Sequence, residues 1–165
     1  MPTLVGGPAF GYDDVRARAL GATAWASNAH DAVAAMEALP TVSVVLPEIS
    51  PAASAEQAQL DLHHRRIVEF LRERWSLTRE SPPNTVFANL TRDTLNQALH
   101  ALSAALLTGD PRPIAETAWW IKDVLQARHA DPASVAELAD LLSDSLDDYP
   151  LARELVRAHF TIESR

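Results

Sequence analysis

From Leu60 to Phe160 the apolar residues recur at helical spacing, in stripes separated by proline and glycine breaks, and this pattern leaves little room for anything but packed helices. Leu60, Ile67, Phe70, Leu71 and Trp75 share one face before the break Ser81-Pro82-Pro83-Asn84. Leu95, Leu99, Leu102 and Leu106 form a second stripe, ended by Gly109-Asp110-Pro111. A third joins Ile114, Ala118, Ile121 and Leu125, widened by Trp119, Trp120 and Val124. Asp131 is placed to cap a fourth helix with Pro132 at its first position, and that helix carries Val135, Leu138, Leu142 and Leu146. Pro150 opens a last helix with Leu151, Leu155, Val156 and Phe160. Amphipathic helices joined by short connections predict a bundle of about five helices over residues 54–162.

The first 39 residues have a different rhythm. Thr3-Leu4-Val5 is a short apolar run that stops at Gly6-Gly7-Pro8, the punctuation of a buried strand that turns. Asp13 and Asp14 then precede a short helix over Val15 to Leu20, with Gly21 in the position of a left-handed cap. Ala22 to Ala26 reads as a second strand, and Asn28 as the cap of a helix carrying Ala32, Val33, Ala35, Met36 and Leu39. Two strands joined by a helix must run parallel. The fold class is therefore mostly α, with a partial α/β segment (β-α-β-α, two parallel strands) over residues 1–39. Pro40, Pro47 and Pro51 mark residues 40–53 as a linker between that segment and the bundle.

The run Leu4-Val5-Gly6-Gly7-Pro8-Ala9-Phe10, followed by Leu20-Gly21-Ala22-Thr23-Ala24-Trp25-Ala26 and then Ala32-Val33, resembles the C-terminal part of cobalamin (B12)-binding domains. In that family a strand ends in a Gly-Gly turn, and a Gly-Ala step leads into the last strand and final helix. The resemblance implies that Gly6 and Gly7 let the backbone approach the nucleotide tail of the cofactor, where a Cβ would hold it away. It also implies that the end of the second strand, Ala26 to Asn28, lies beside the same tail. Open parallel sheets bind ligands beyond the carboxyl ends of their strands, which suits this position. The family's lower-ligand signature, Asp-x-His-x-x-Gly, precedes its Gly-Gly turn. Here Asp61-Leu62-His63 follows the turn, has Arg66 in the glycine position, and is expected to be helical. In light-sensing B12 proteins a tryptophan precedes a Glu-His pair in a helical cap; Trp119-Trp120 and His129 keep neither the glutamate nor the interval.

Charge and composition narrow the remaining classes. With 22 acidic against 14 basic residues and a net charge of −8, the chain lacks the electrostatic footprint of a general nucleic-acid binder. It contains no cysteine, which removes disulfides, thiolate metal sites and thiol nucleophiles. No apolar run approaches the roughly 18 residues of a membrane span, and a cytoplasmic location is the expectation. Phosphate-loop, His-Glu-x-x-His and Gly-x-Ser-x-Gly patterns are missing, so no catalytic residue and no metal ligand is assigned, and the chain leans away from being an enzyme. The acidic row Glu137, Asp140, Asp144, Asp147 and Asp148 reads as a solvated helix face, and His63 and His64 as boundary positions.

The expected function is that of a cobalamin-related carrier or sensor and regulator, with the chemistry left to the cofactor. Such a chain would cover its open sheet edge by self-association or with a partner chain, unless Met1 is not the start of the functional unit. The alternative is an interaction module in which a vestigial α/β segment decorates a bundle that dimerises through Trp75, Trp119, Trp120 or Phe160. A third possibility is a bundle that takes a different small molecule between its helices.

Overall fold

The computed structural model describes residues 2–39, 49–80, 85–131 and 133–161. The expected linker residues 40–48, the break at 81–84 and Pro132 lie outside the described residues. The chain divides into two compact units, one formed by residues 1–51 with 107–110, the other by residues 52–106 with 111–165.

In the first unit strand β1 (Leu4–Gly6) leads through a 3-10 turn at Pro8–Phe10 into α1 (Val15–Ala19), then β2 (Ala24–Ala26) and α2 (Ala29–Glu37). The two strands pair in parallel, with Leu4 opposite Ala24, Val5 opposite Trp25 and Gly6 opposite Ala26. This is the expected β-α-β-α order. Helix α1 ends as its sequence indicates, because Gly21 adopts φ 81° while Gly21 N–H bonds Arg18 O and Ala22 N–H bonds Ala17 O. That pair of bonds satisfies the last carbonyls of the helix. Asn28 caps α2, its Oδ1 accepting the Asp31 N–H at 3.0 Å. Among the described residues of this unit the buried apolar side chains are Ala17, Ala22 and Ala26, while Val15, Leu20, Val33 and Met36 are exposed. So short a list of small buried side chains is a thin apolar core.

The second unit is helical: α3 (Pro51–Arg74), α4 (Ser76–Glu80), α5 (Val86–Thr108), α6 (Arg112–Ala127), α7 (Ser134–Ser145) and α8 (Pro150–His159). Five of these are the helices read from the stripes. The short α4 is additional, and α3 begins at Pro51, inside the segment expected to be linker. Proline is tolerated at a first helical position because its missing N–H would have no intrahelical partner there. The core joins Leu60, Ile67, Leu71 and Trp75 to Leu95, Leu99 and Leu102, and these to Ile114, Ile121, Leu125, Val135, Leu138, Leu142 and Val156. The start of α7 differs from expectation. Ala133 is its capping residue, and Asp131 acts two residues earlier, its Oδ1 accepting the Ala133 N–H at 2.9 Å.

Two carboxylates tie helix starts across the bundle. Glu56 on α3 accepts the Leu151 and Ala152 N–H groups of α8, each at 3.0 Å, satisfying donors that the first helical turn leaves free. Glu137 on α7 does the same for α4 through the Ser76 N–H at 3.0 Å and the Ser76 hydroxyl. Glu137 is therefore not part of a solvated face, as its place in the acidic row suggested; Asp140, Asp144, Asp147 and Asp148 are exposed. Replacing Glu56 by alanine should lower the unfolding free energy of the bundle by about 1–2 kcal/mol, the usual cost of a lost helix cap, with glutamine recovering part of it. Urea titration followed by far-UV circular dichroism measures both variants.

Candidate functional site

The parallel register places Gly6 and Ala26, the last residues of the two strands, directly opposite one another. Residues 4–7 form one side of a groove at these strand ends, and residues 26–29 with 32 form the other. Gly6, Gly7 and Ala26, the residues singled out from the sequence, are thus brought together, with Asn28 beside them.

Each glycine has a local reason to be one. A Cβ on Gly6 would come well inside 3.0 Å of the Ala26 carbonyl oxygen, so any side chain there forces the strands apart. Gly7 has φ 93° and ψ 171°, a backbone region essentially reserved for glycine. An added Cβ at Gly7 meets nothing within 4 Å, so its constraint is conformational and the space above it is open.

The chemistry of the groove is neutral. Its lining side chains carry no charge, and the start of α2 is already satisfied internally. Asp31, in the first turn of α2, accepts from the Ser27 hydroxyl and from Asn28 Nδ2, each at 2.7 Å, while Asn28 Oδ1 takes the Asp31 N–H. A carboxylate there opposes the anion attraction that a helix start otherwise offers. Small side chains and exposed backbone suit a thin, uncharged portion of a ligand, not a bare phosphate.

Behind the turn lies a pair that the sequence did not announce. Arg16 on α1 and Asp110, both buried, meet with Nε to Oδ2 at 2.7 Å within the first unit. Arg16 Nη1 also reaches the Ala9 carbonyl at 3.5 Å, and the guanidinium lies 3.7 Å from where a Cβ on Gly11 would stand. Their separation of 94 residues left no local signal to find them by.

The bundle has a concavity of its own, lined by His63, Arg66, Ile67 and Phe70 of α3 and by residues at the end of α7 and in the turn to α8. There His63 Nδ1 and the Tyr149 hydroxyl are 2.7 Å apart. Burial raises the Tyr149 pKa, Asp148 raises it further, and Arg66 opposes them. His64 Nε2 contacts Asn96 Oδ1 at 2.8 Å, so both histidines occupy the boundary positions expected of them. Asp61-Leu62-His63 is helical, in the middle of α3. His129 is exposed and follows the end of α6 with φ 58°, a place that glycine usually fills. Among the described residues no group of three His, Cys, Asp or Glu side chains could hold a metal ion.

Of the four aromatics through which the alternative interaction module would dimerise, Trp75 and Phe160 are core residues, which removes them from any partner surface. Trp119 is half-buried under the Lys122 ammonium at 4.3 Å from its ring centre, and Trp120 is exposed. Also among the described residues, no helix is long and apolar enough to cross a membrane. No protein-family model matches this chain, and no curated protein matches it at a significant level.

Two outcomes follow. Gly6→Ala should break the β1–β2 pairing whether or not a ligand is present, seen as faster amide exchange at Thr23 and Ala24, whose N–H groups bond Thr3 O. Tyr149 binds its proton more tightly folded than unfolded. Its contribution is therefore complete below the unfolded pKa of about 10 and is lost as pH rises through the higher folded value. Thermal melts between pH 8 and 11 should show a steeper alkaline loss for the natural chain than for Tyr149→Phe.

Proposed function

We propose that this chain is a corrinoid-binding-related carrier or regulatory protein, in which the Gly6-Gly7 turn, Ala26 and the start of α2 seat the tail of a cobalamin. The observation that carries the reading is the convergence of both glycines and Ala26 on one groove at the ends of two parallel strands. The groove carries no charge and sets Gly6, Gly7, Ala26, Ala29 and Ala32 beside Leu4 and Val5, so it would receive an apolar part of such a tail and not its phosphate. When bound, the cofactor supplies chemistry at its cobalt; the residues of this chain bind and orient it. A cytoplasmic location goes with this reading.

Association belongs to the same proposal. Val33 and Met36 on α2 are 56% and 60% exposed. Both suit a unit whose apolar surface and sheet edge are covered by a second copy or a partner chain. These exposed side chains also favour the second reading, an interaction module that has kept the α/β segment without its cofactor.

The test mixes the purified chain with hydroxocobalamin in the dark, removes free cofactor by size exclusion, and reads the visible absorption of the protein peak. Near-stoichiometric co-elution is expected. Ala29 is exposed at the groove, so Ala29→Trp should obstruct it without unfolding the unit and reduce retention by about tenfold, or about 1.4 kcal/mol. A colourless peak from the natural chain would sink the cobalamin reading and leave the interaction module.

A further inference from the structure

We propose that Arg16 and Asp110 are positioning residues for the Gly6-Gly7 turn, holding the loop of residues 8–11 in the conformation that keeps the groove open. The consequence for ligand binding rests on the cobalamin reading; the consequence for the loop does not.

After Gly7 the chain makes one 3-10 turn, closed by Phe10 N–H to Gly7 O and Gly11 N–H to Pro8 O, both at 3.1 Å. Gly7 and Gly11 at its two ends have φ 93° and 82°. Glycine populates such conformations freely but also leaves them freely, so these two residues alone leave the loop poorly defined. Pro8 and Ala9 are exposed and Phe10 is half-buried, so burial holds the loop at Phe10 but not at Pro8 or Ala9.

Arg16 supplies a restraint. Its guanidinium reaches the Ala9 carbonyl at 3.5 Å and fills the space that a side chain at position 11 would need, so one rigid planar group donates to the loop and lies alongside it. A buried guanidinium must be neutralised, and the Asp110 carboxylate does this at Nε, leaving the Nη1 arm directed at the loop. Arg16 is 8% and Asp110 3% exposed, so water does not screen the pair as it would on the surface. The acid thus fixes the base, the base fixes the loop, and the loop carries the glycine turn.

The experiment is amide hydrogen exchange on the full-length chain, with peptides spanning residues 7–12 as the readout and peptides from α6 and α7 as the folding control. Asp110→Asn is expected to speed exchange at Phe10 and Gly11 by about tenfold or more while the control peptides stay within about twofold. Arg16→Lys keeps the charge without the fork and should do the same. Should Asp110→Asn disturb the control peptides, the double variant Arg16→Met, Asp110→Leu removes both charges of the pair together, and the loop should still loosen. Unchanged exchange at residues 7–12 in a folded variant would overturn the positioning role, even if cobalamin binds. Loosening of the loop in a chain that never retains hydroxocobalamin would uphold that role and defeat only the cobalamin reading. If cobalamin is retained, Asp110→Asn should weaken it by at least fivefold at a temperature where the control peptides show the bundle intact.

Discussion

Trp75 occupies the point where the bundle has least freedom. It is fully buried just after the end of α3, and its indole N–H, cut off from water, donates to the Ser134 carbonyl at the start of α7 at 2.9 Å. A buried donor of this kind costs free energy unless it is paired. Its placement therefore fixes both the break between α3 and α4 and the start of α7. The same α7 then returns Glu137 to Ser76, the first residue of α4. One aromatic side chain and one carboxylate make the turn after α3 and the start of α7 mutually dependent.

Helix α3 extends that logic along its length. Leu60, Ile67, Val68 and Leu71 enter the core, while Glu56 and His63 reach the beginning of α8 through Leu151, Ala152 and Tyr149. These positions lie about one or two turns apart on the helix, so one face serves burial and capping together. The stretch read as a boundary of an amphipathic helix is where that helix hydrogen-bonds its neighbours.

The long helices were legible because their apolar stripes are long and their ends are marked by proline, glycine or a capping side chain. The β-α-β-α start was legible for the same reason, and Gly21 and Asn28 perform the capping their positions suggested. The grouping of Gly6, Gly7 and Ala26 rests on the resemblance to cobalamin-binding domains, and the parallel pairing of the two strand ends agrees with it. What escaped was tertiary. Helix α4 has five residues, too few for a periodic signal, and its start is satisfied by Glu137, far along the chain. The ion pair of Arg16 with Asp110 likewise joins residues that no local pattern connects. Trp75 and Phe160 as interface aromatics failed because an aromatic on an apolar stripe carries no mark that separates core from surface.

The first unit is not one continuous piece of chain, since residues 107–110 belong to it with the N-terminal segment. Its buried ion pair closes a loop that contains α3, α4 and α5. As the polypeptide emerges during synthesis, Arg16 is present long before its counter-charge exists. The pair cannot form until the chain has been made as far as Asp110 and the intervening loop has closed, an entropic cost set by its length. Completion of the N-terminal unit is thereby timed by the helical segment that follows it, so a fragment cut within residues 40–50 would hold every residue of the candidate groove and lack the acid behind it.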